Sequence, residues 1–173
     1  PGLEIFDIHE NARHPYGVEF RDAGSGEMIW GQPGGTERAP DVGRGIAIDI
    51  DPRYKGYEMW ASGEGMNGVW NVSGELISET KPRSTNFAVW WDGDLLRELL
   101  DSNHISKWNW KTGETERILV AQNSASNNST KANPTLSVDL YGDWREEVIW
   151  RTADGQELRI YTTTSPTEYR FPT

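Results

Sequence analysis

The sequence repeats an acidic turn followed by a short apolar strand, and this repeat limits the folds that the chain can adopt. The pattern is clearest in residues 134–164, where apolar and polar residues alternate on both sides of an acidic turn, as in half-buried strands. The same pattern occurs twice upstream. The three turns begin at Asp49, Asp92 and Asp139, which are 43 and 47 residues apart. None of these segments has the period of a helix.

A hairpin signal repeats together with the acidic turns. Each signal is a short polar run with a glycine, and the glycines are Gly26, Gly74, Gly113 and Gly155. A period in the forties with several short strands per repeat is typical of β-propeller blades. A β-sandwich also has short strands and turns, but it is not expected to repeat both features in step, so we favour the propeller.

The predicted fold is therefore all-β, built from β-propeller blades of antiparallel strands. We assign a blade end to residues 1–31 and fuller blades to residues 43–80, 84–120 and 134–173. Closed propellers usually have at least about four blades, and this chain supplies about three to four. We therefore expect a partial propeller: a fragment of a larger one, or an arc completed by another chain.

Composition excludes several classes of function. The net charge of −10 argues against nucleic acid as the main partner, because phosphate binding needs a basic surface. The chain has no cysteine, which excludes disulfides, thiolate catalysis and zinc–sulfur sites. No apolar run approaches the length of a membrane span, so we expect no membrane partner.

The acidic turns are candidate calcium sites. Carboxylates two residues apart on a tight loop can converge on a hard cation, and a later glutamate can complete its shell. The predicted metal ligands in these turns are Asp49, Asp51, Asp92, Asp94, Asp139, Asp143 and Glu147. The alternative is that aspartate is present only because it favours turns.

A histidine-rich segment near the start of the sequence is a second candidate for cation binding. His9, Glu10 and His14 resemble a metalloprotease motif, but the two histidines are one residue too far apart and Pro15 follows at once. We therefore reject a metalloprotease. A cation site on a loop and a polar loop without an ion are both compatible with these residues.

Two loops carry polar residues that suit an acidic sugar. Arg44 lies between two glycines, which expose its guanidinium for a carboxylate; the alternative is a salt bridge to Asp41 or Asp49. Residues 121–134 form an asparagine-rich loop with a single cation, Lys131. Amides and hydroxyls of this kind suit sugar hydroxyls, although such runs are often flexible linkers.

Several of these segments together resemble one known family. The chain looks like the rhamnogalacturonan lyases of polysaccharide lyase family 11, and the likeness covers nearly its whole length. It rests on Gly43-Arg44-Gly45, residues 49–56, 90–100 and 128–131, and above all Gly142-Asp143-Trp144-Arg145-Glu146-Glu147 with residues 159–164.

The resemblance implies an eight-bladed β-propeller that carries bound calcium. It also implies cleavage of the rhamnose–galacturonate backbone of the pectic polysaccharide rhamnogalacturonan I by β-elimination, within the chain or from its end. With that substrate we expect a secreted, extracellular or periplasmic protein that is a monomer at full length. Calcium is the implied cofactor.

The resemblance carries the family's loop residues onto Arg44 and onto Asn128, Ser129, Thr130 and Lys131, and the chemistry of β-elimination indicates roles for them. Arg44 and Lys131 would be catalytic, with Arg44 neutralising the galacturonate carboxylate and Lys131 accepting the proton from C5. Asn128, Ser129 and Thr130 would bind substrate. Ser129 stands where the family has glycine.

Two other classes of function remain open at the level of sequence. A non-catalytic calcium-binding propeller, which binds carbohydrate or acts as an adhesion scaffold, needs the acidic turns but not Arg44 or Lys131. A glycosidase needs a pair of carboxylates, and the sequence offers many without singling out one pair.

Overall fold

The described part of the chain is built almost entirely from antiparallel strands. The computed structural model describes residues 2–10, 13–35 and 41–171, which contain four sheets and one short 3-10 helix, Ser129–Lys131. The predicted all-β class with antiparallel strands is confirmed. Within these residues no helix has the length and apolar character that crossing a membrane would require.

Contacts divide the chain into two units, and the first comprises Pro1–Thr85 with Trp110–Glu114. It holds a three-stranded sheet in the order β1-β2-β3 and a four-stranded sheet in the order β4-β5-β6-β7. The strands are β1 Glu4–Ile8, β2 Val18–Asp22, β3 Met28–Gln32, β4 Arg44–Ile48, β5 Glu58–Ser62, β6 Val69–Trp70 and β7 Leu76–Ser78. Consecutive strands pair with each other, as expected for chains joined by short hairpins.

The core of the first unit lies between its two sheets. Strands of both sheets and the segments that join them contribute buried apolar side chains, and the best buried are Val18, Val42, Ala61, Met66 and Trp70. Phe6, Ile8 and Trp30 pack against them. Burial of side chains of this size stabilises the unit by about 1.5–3 kcal/mol each, so the core holds the two sheets face to face.

One hairpin glycine shows why the sequence signal was informative. Gly74 has a φ of 81°, a backbone conformation that residues other than glycine rarely adopt. A Cβ atom at this position would also lie 2.8 Å from the ring of Trp30, whose indole nitrogen donates to the Val72 carbonyl at 3.0 Å. The turn between β6 and β7 therefore needs glycine for its backbone and for its packing.

The second unit comprises Asn86–Asn109 and Thr115–Thr173. One sheet has the order β11-β10-β9-β8; in the other, β14 pairs with β12, β13 and β15. The strands are β8 Phe87–Val89, β9 Glu98–Asp101, β10 His104–Asn109, β11 Glu114–Val120, β12 Ser124–Ala125, β13 Leu136–Val138, β14 Glu147–Thr152 and β15 Leu158–Tyr161. Its core is formed by Val89, Trp91, Leu100, Ile105, Ala121, Val148 and Trp150.

The last sheet has a divided strand at one edge. β13 pairs with the first half of β14 and β12 with its last two residues, so both lie along the same edge of β14. Residues 126–135 lie between β12 and β13. The asparagine-rich loop is therefore an insertion that interrupts an edge strand.

Candidate functional site

A buried glutamate organises each of the three acidic turns. Glu58, Glu98 and Glu147 begin β5, β9 and β14, and each is at most 1% exposed. One carboxylate oxygen of each accepts one or two backbone N–H groups of the turn that precedes its strand, at 2.8–3.2 Å. A buried carboxylate that binds backbone amides fixes the turn, so these glutamates position the aspartates around them.

The second oxygen of each glutamate has a different environment in each turn. Oε1 of Glu98 accepts from Lys107 Nζ at 3.1 Å, and Oε1 of Glu147 accepts from the Thr162 hydroxyl at 2.9 Å. Among the described residues, Oε1 of Glu58 is buried without a hydrogen-bond partner. The three turns therefore share a backbone arrangement but differ in chemistry.

Strand register explains this difference. Ser106 pairs with Leu99 and Val148 with Tyr161, so the next positions place Lys107 and Thr162 opposite Glu98 and Glu147. By the same register, Met59 pairs with Trp70 and Asn71 follows opposite Glu58.

Asn71, however, does not donate a hydrogen bond to Glu58 Oε1. Its side-chain oxygen accepts the backbone N–H groups of Ser73 and Glu75, at 3.0 and 3.1 Å, and its amide donates to the Glu75 carboxylate. The side chain is therefore used by its own hairpin turn and does not compensate the buried glutamate.

The first acidic turn concentrates negative charge around Glu58. Burial, together with the nearby carboxylates of Asp49 and Asp51, raises the pKa of Glu58 to about 7. Asp51 is itself paired with Arg53, whose Nε and Nη2 lie 2.9 and 2.6 Å from its two oxygens. The predicted ligands Asp49 and Asp51 thus lie close enough to Glu58 to raise its pKa, and both oxygens of Asp51 are bound by Arg53.

The second acidic turn already surrounds a cation of the protein. Lys107 Nζ binds Asp92, Asp94 at 2.6 Å and Glu98 at 3.1 Å. Partial burial acts to lower the pKa of Lys107, but hydrogen bonds to Asp92 and Asp94 raise it overall. Ligand oxygens of the three acidic residues lie within 4.8 Å of one another, and the ammonium lies among them.

In the third acidic turn the carboxylates stabilise the turn. One Asp139 oxygen accepts from the backbone N–H groups of Gly142 and Asp143, and the other accepts from Trp144 at 3.0 Å. Asp143 pairs with Arg145 at 2.8 Å, and this hydrogen bond lowers the pKa of Asp143. The predicted ligands Asp139, Asp143 and Glu147 therefore all have protein donors.

The predicted catalytic arginine begins a strand of the first unit. Arg44 is the first residue of β4, pairs with Ser62 of β5 and is half-buried. A Cβ atom at Gly45 would lie 2.4 Å from Ile8 and 3.1 Å from the Trp60 carbonyl. The glycine after Arg44 therefore allows β1 and β5 to approach closely on either side.

The predicted substrate-binding residues form a compact turn in the second unit. Asn127 and Asn133 pair through two backbone hydrogen bonds of 2.7 and 3.0 Å, which close the base of the loop. The tip is formed by the exposed residues Asn128, Ser129, Thr130 and Lys131. The structure thus brings all four together, on a hydrogen-bonded loop.

The backbone of this loop tip is unusual. Asn128 and Ser129 have φ angles of 62° and 49°, in the left-handed region that favours glycine. Ser129 is where the sequence departs from the glycine implied by the resemblance. Lys131 N donates to Asn128 O at 3.1 Å, which fixes the backbone that carries the lysine.

The histidine-rich segment brings together a set that includes one unpredicted residue. His9 and His14 stack with ring centroids 3.7 Å apart, and both approach Glu19 of β2. Glu10 lies outside this group of potential ligands. Glu19, which is 2% exposed, was not predicted from the sequence. Its place between two apolar residues of a strand is the signal that could have identified it as a buried carboxylate.

The buried glutamate of the first acidic turn gives a testable dependence of stability on pH. The folded-state pKa of Glu58 is about 7 and its ordinary value is 4.5, so the folded protein binds the extra proton between these values. Stability without divalent cations should therefore fall as pH rises from about 4.5 to 7. Glu58→Gln should remove about 3 kcal/mol of this loss.

Urea denaturation at pH 5 and pH 8, in the presence of a chelator, measures this effect. Gln at position 58 can still accept from Ile50 and Asp51, so the turn should be kept. Glu116→Gln, at an exposed position of β11, is the matched control and should keep the profile of the original protein. Equal losses of stability in Glu58→Gln and the original protein would contradict the prediction.

Comparisons with known proteins identify relatives over the whole chain. The family described as "Rhamnogalacturonan lyase family 11, C-terminal domain" matches residues 1–173. The chain is 54% identical over 173 residues to the Bacillus subtilis rhamnogalacturonan endolyase YesW. It is 50% identical over 185 aligned residues to the exolyase YesX of the same organism.

Solved structures agree with these relatives. The crystal structure of YesW and that of Bacillus licheniformis rhamnogalacturonan lyase each match 100% of this chain at 54% identity, with TM-scores of 0.93. The structure of exotype YesX matches 99% of the chain with a TM-score of 0.92. The chain spans 27% and 30% of the length of YesW and YesX.

Proposed function

The chain belongs to rhamnogalacturonan lyase family 11, and we propose that it forms part of an enzyme that cleaves the rhamnose–galacturonate backbone of rhamnogalacturonan I by β-elimination. The observation that carries this proposal is the identity of 54% to a rhamnogalacturonan endolyase over the whole chain. The compact loop tip and the half-buried arginine support it, because they present the polar groups that an acidic sugar requires.

The reaction needs a positive charge beside the substrate carboxylate. The proton on C5 of galacturonate becomes acidic only when the neighbouring carboxylate is neutralised. We assign this role to Arg44, because a guanidinium stays charged and can bind a carboxylate through two parallel hydrogen bonds. Its position at the start of β4, where it pairs with Ser62 of β5, limits the movement of the backbone that carries it.

The reaction also needs a base that takes the C5 proton while the oxygen on C4 leaves. We assign this role to Lys131, on the exposed 3-10 turn of the asparagine-rich loop. Asn128, Ser129 and Thr130 would bind sugar hydroxyls beside it, since amides and hydroxyls can both donate and accept. The closed base of the loop favours a fixed position for these groups.

Calcium is part of the proposal, and the uncompensated negative charge of the first acidic turn supports it. Glu58 carries a fully buried oxygen with no hydrogen-bond donor in the described chain, beside the carboxylates of Asp49 and Asp51. Oxygen ligands of this kind suit Ca²⁺, and the ion would offset the negative charge of the turn. At the second turn, calcium at Asp92 and Asp94 would have to displace the ammonium of Lys107.

We propose that the sheets are blades of an eight-bladed propeller, within the boundaries predicted from the sequence. Rhamnogalacturonan I would be the polymeric partner of a monomeric enzyme. A substrate in plant cell walls implies that the enzyme acts outside the cytoplasm, in the periplasm or the extracellular medium.

Ultraviolet absorbance of rhamnogalacturonan I tests the proposed function. β-Elimination leaves an unsaturated uronate, so incubation with the protein and calcium should raise the absorbance, and a chelator should abolish the rise. The assay should include a longer form that matches the length of the relatives, since this chain spans less than a third of them. No absorbance from the longer form would contradict the lyase, and binding of the polymer would then favour a non-catalytic propeller.

A further inference from the structure

The turn between β1 and β2 holds two imidazoles against a buried carboxylate. His9 directly follows β1, His14 lies in the turn, and Glu19 is the second residue of β2. His9 Nε2 lies 3.2 Å from one Glu19 oxygen, and His14 Nε2 lies 3.8 Å from the other. One potential ligand atom from each residue lies within 4.8 Å of the other two.

The ring nitrogens that face Glu19 are available as ligands. His14 Nδ1 lies 3.0 Å from the Tyr16 carbonyl oxygen and 3.3 Å from Tyr16 N. In the tautomer protonated at Nδ1, this N–H donates to the carbonyl and the lone pair of Nε2 faces Glu19. His9 Nε2 is buried, and within the described ranges it has no partner with hydrogen-bond geometry. A second partner that fixes the ring of a histidine is the usual arrangement around a metal ligand.

Glu19 is held in its ionised form by a neighbour. It is 2% exposed, and its carboxylate forms an ion pair with the guanidinium of Arg21. Arg21 Nε donates to Oε2 of Glu19 at 2.7 Å. Oε1 faces His14 instead, so the carboxylate keeps one oxygen for a further ligand.

We propose that His9 Nε2, His14 Nε2 and Glu19 Oε1 bind a borderline divalent metal ion of the zinc class. Two imidazoles and one carboxylate are a common ligand set for such ions, whereas Ca²⁺ takes six to eight oxygen ligands. Ligands about 2.0–2.1 Å from a tetrahedral ion lie about 3.4 Å apart, so the ligand atoms have to approach by about 1 Å. The two stacked rings also have to rotate out of their parallel arrangement, so that the Nε2 lone pairs converge on the ion. Water fills the fourth position.

The position of the site gives the ion a structural role. The carbonyl of His9 accepts from Val42 N at 3.3 Å, and Gly17 accepts from His9 N at 3.0 Å. Val42 lies in the core, two residues before Arg44. An ion on His9 and His14 would therefore fix the β1–β2 turn against the segment that leads to β4, and this role is independent of the lyase reaction.

Cobalt and zinc titrations of the purified, chelator-treated protein test the site. Co²⁺ should produce visible absorption bands of a four-coordinate ion with a stoichiometry of one, and Zn²⁺ should remove them. His14→Gln should weaken zinc binding at least about 10-fold, measured by competition with a chromogenic chelator. The half-exposed position of His14 makes this variant compatible with folding, which circular dichroism checks.

His104→Gln is the matched control, because His104 is the third histidine of the chain and lies on β10 in the other unit. It should bind zinc as the original protein does, and His9→Gln should behave like His14→Gln. Failure of the original protein to bind one zinc ion at micromolar concentration, or equal binding by His14→Gln, would overturn the proposal. Neither result affects the proposed lyase, which is measured separately by absorbance.

Discussion

Replacing Lys131 by methionine is expected to lower kcat on rhamnogalacturonan I at least about 100-fold, with KM changed no more than a few-fold. Methionine keeps the length and much of the apolar stem of lysine but cannot accept a proton. General base catalysis contributes about 10²–10⁴-fold, and a group used mainly in the transition state changes kcat more than KM. Initial rates of absorbance increase over a range of polymer concentrations separate the two parameters.

The structure makes Lys131 suitable for this test. Its side chain is exposed, and the backbone of its turn is held by the Asn127–Asn133 pair. Loss of the ammonium should therefore leave the loop folded, so that a loss of rate reports on chemistry.

Lys55→Met, which removes another exposed lysine, is the matched control and should keep full activity. Unchanged turnover in Lys131→Met would remove Lys131 from the role of base. Binding of the polymer by both variants, measured by affinity electrophoresis, separates a lost base from a lost binding site.

The strands and their hairpins were predictable because their signals are local. Alternating apolar residues specify which side of a strand is buried, and a glycine such as Gly74 is required where φ is positive. The acidic turns were also visible, since aspartate near the end of a strand binds backbone N–H groups of its own turn, as Asp139 does.

The chemistry of each turn was not predictable from its own residues. The partner of each buried glutamate comes from a neighbouring strand, and strand register decides whether that partner is Lys107 or Thr162. Register depends on turn length and bulges, which the sequence repeat does not fix. Three similar turns thus differ in the partner of their glutamate: Glu98 forms a salt bridge and Glu147 binds a hydroxyl, while Glu58 has an uncompensated oxygen.

The histidine site illustrates the same limit. His9 and His14 were noted from their spacing, but Glu10, their neighbour in sequence, is not the residue that joins them. Glu19 faces both rings because β2 returns antiparallel to β1, with Ile8 opposite Val18. The carboxylate that completes the group is therefore brought in by strand pairing.

Replacing Lys107 by methionine is expected to destabilise the protein by about 3–5 kcal/mol in the presence of a chelator. The change leaves Asp92, Asp94 and the fully buried Glu98 without their shared cation. Burial already raises the pKa of Glu98 to about 7, so this carboxylate is poorly solvated and depends on the ammonium when ionised. Urea denaturation at pH 8, where Glu98 is mostly ionised, measures the loss.

Calcium should then restore much of the stability of Lys107→Met, because the three carboxylates would offer oxygen ligands to an ion in place of the ammonium. Lys107→Arg, which keeps the charge, is the matched control and should lose less stability in chelator and gain less from calcium at this turn. Stability of Lys107→Met equal to that of the original protein in chelator would show that the ammonium does not compensate the turn. A loss that calcium leaves unchanged would show instead that these carboxylates, once freed from Lys107, do not converge on a cation.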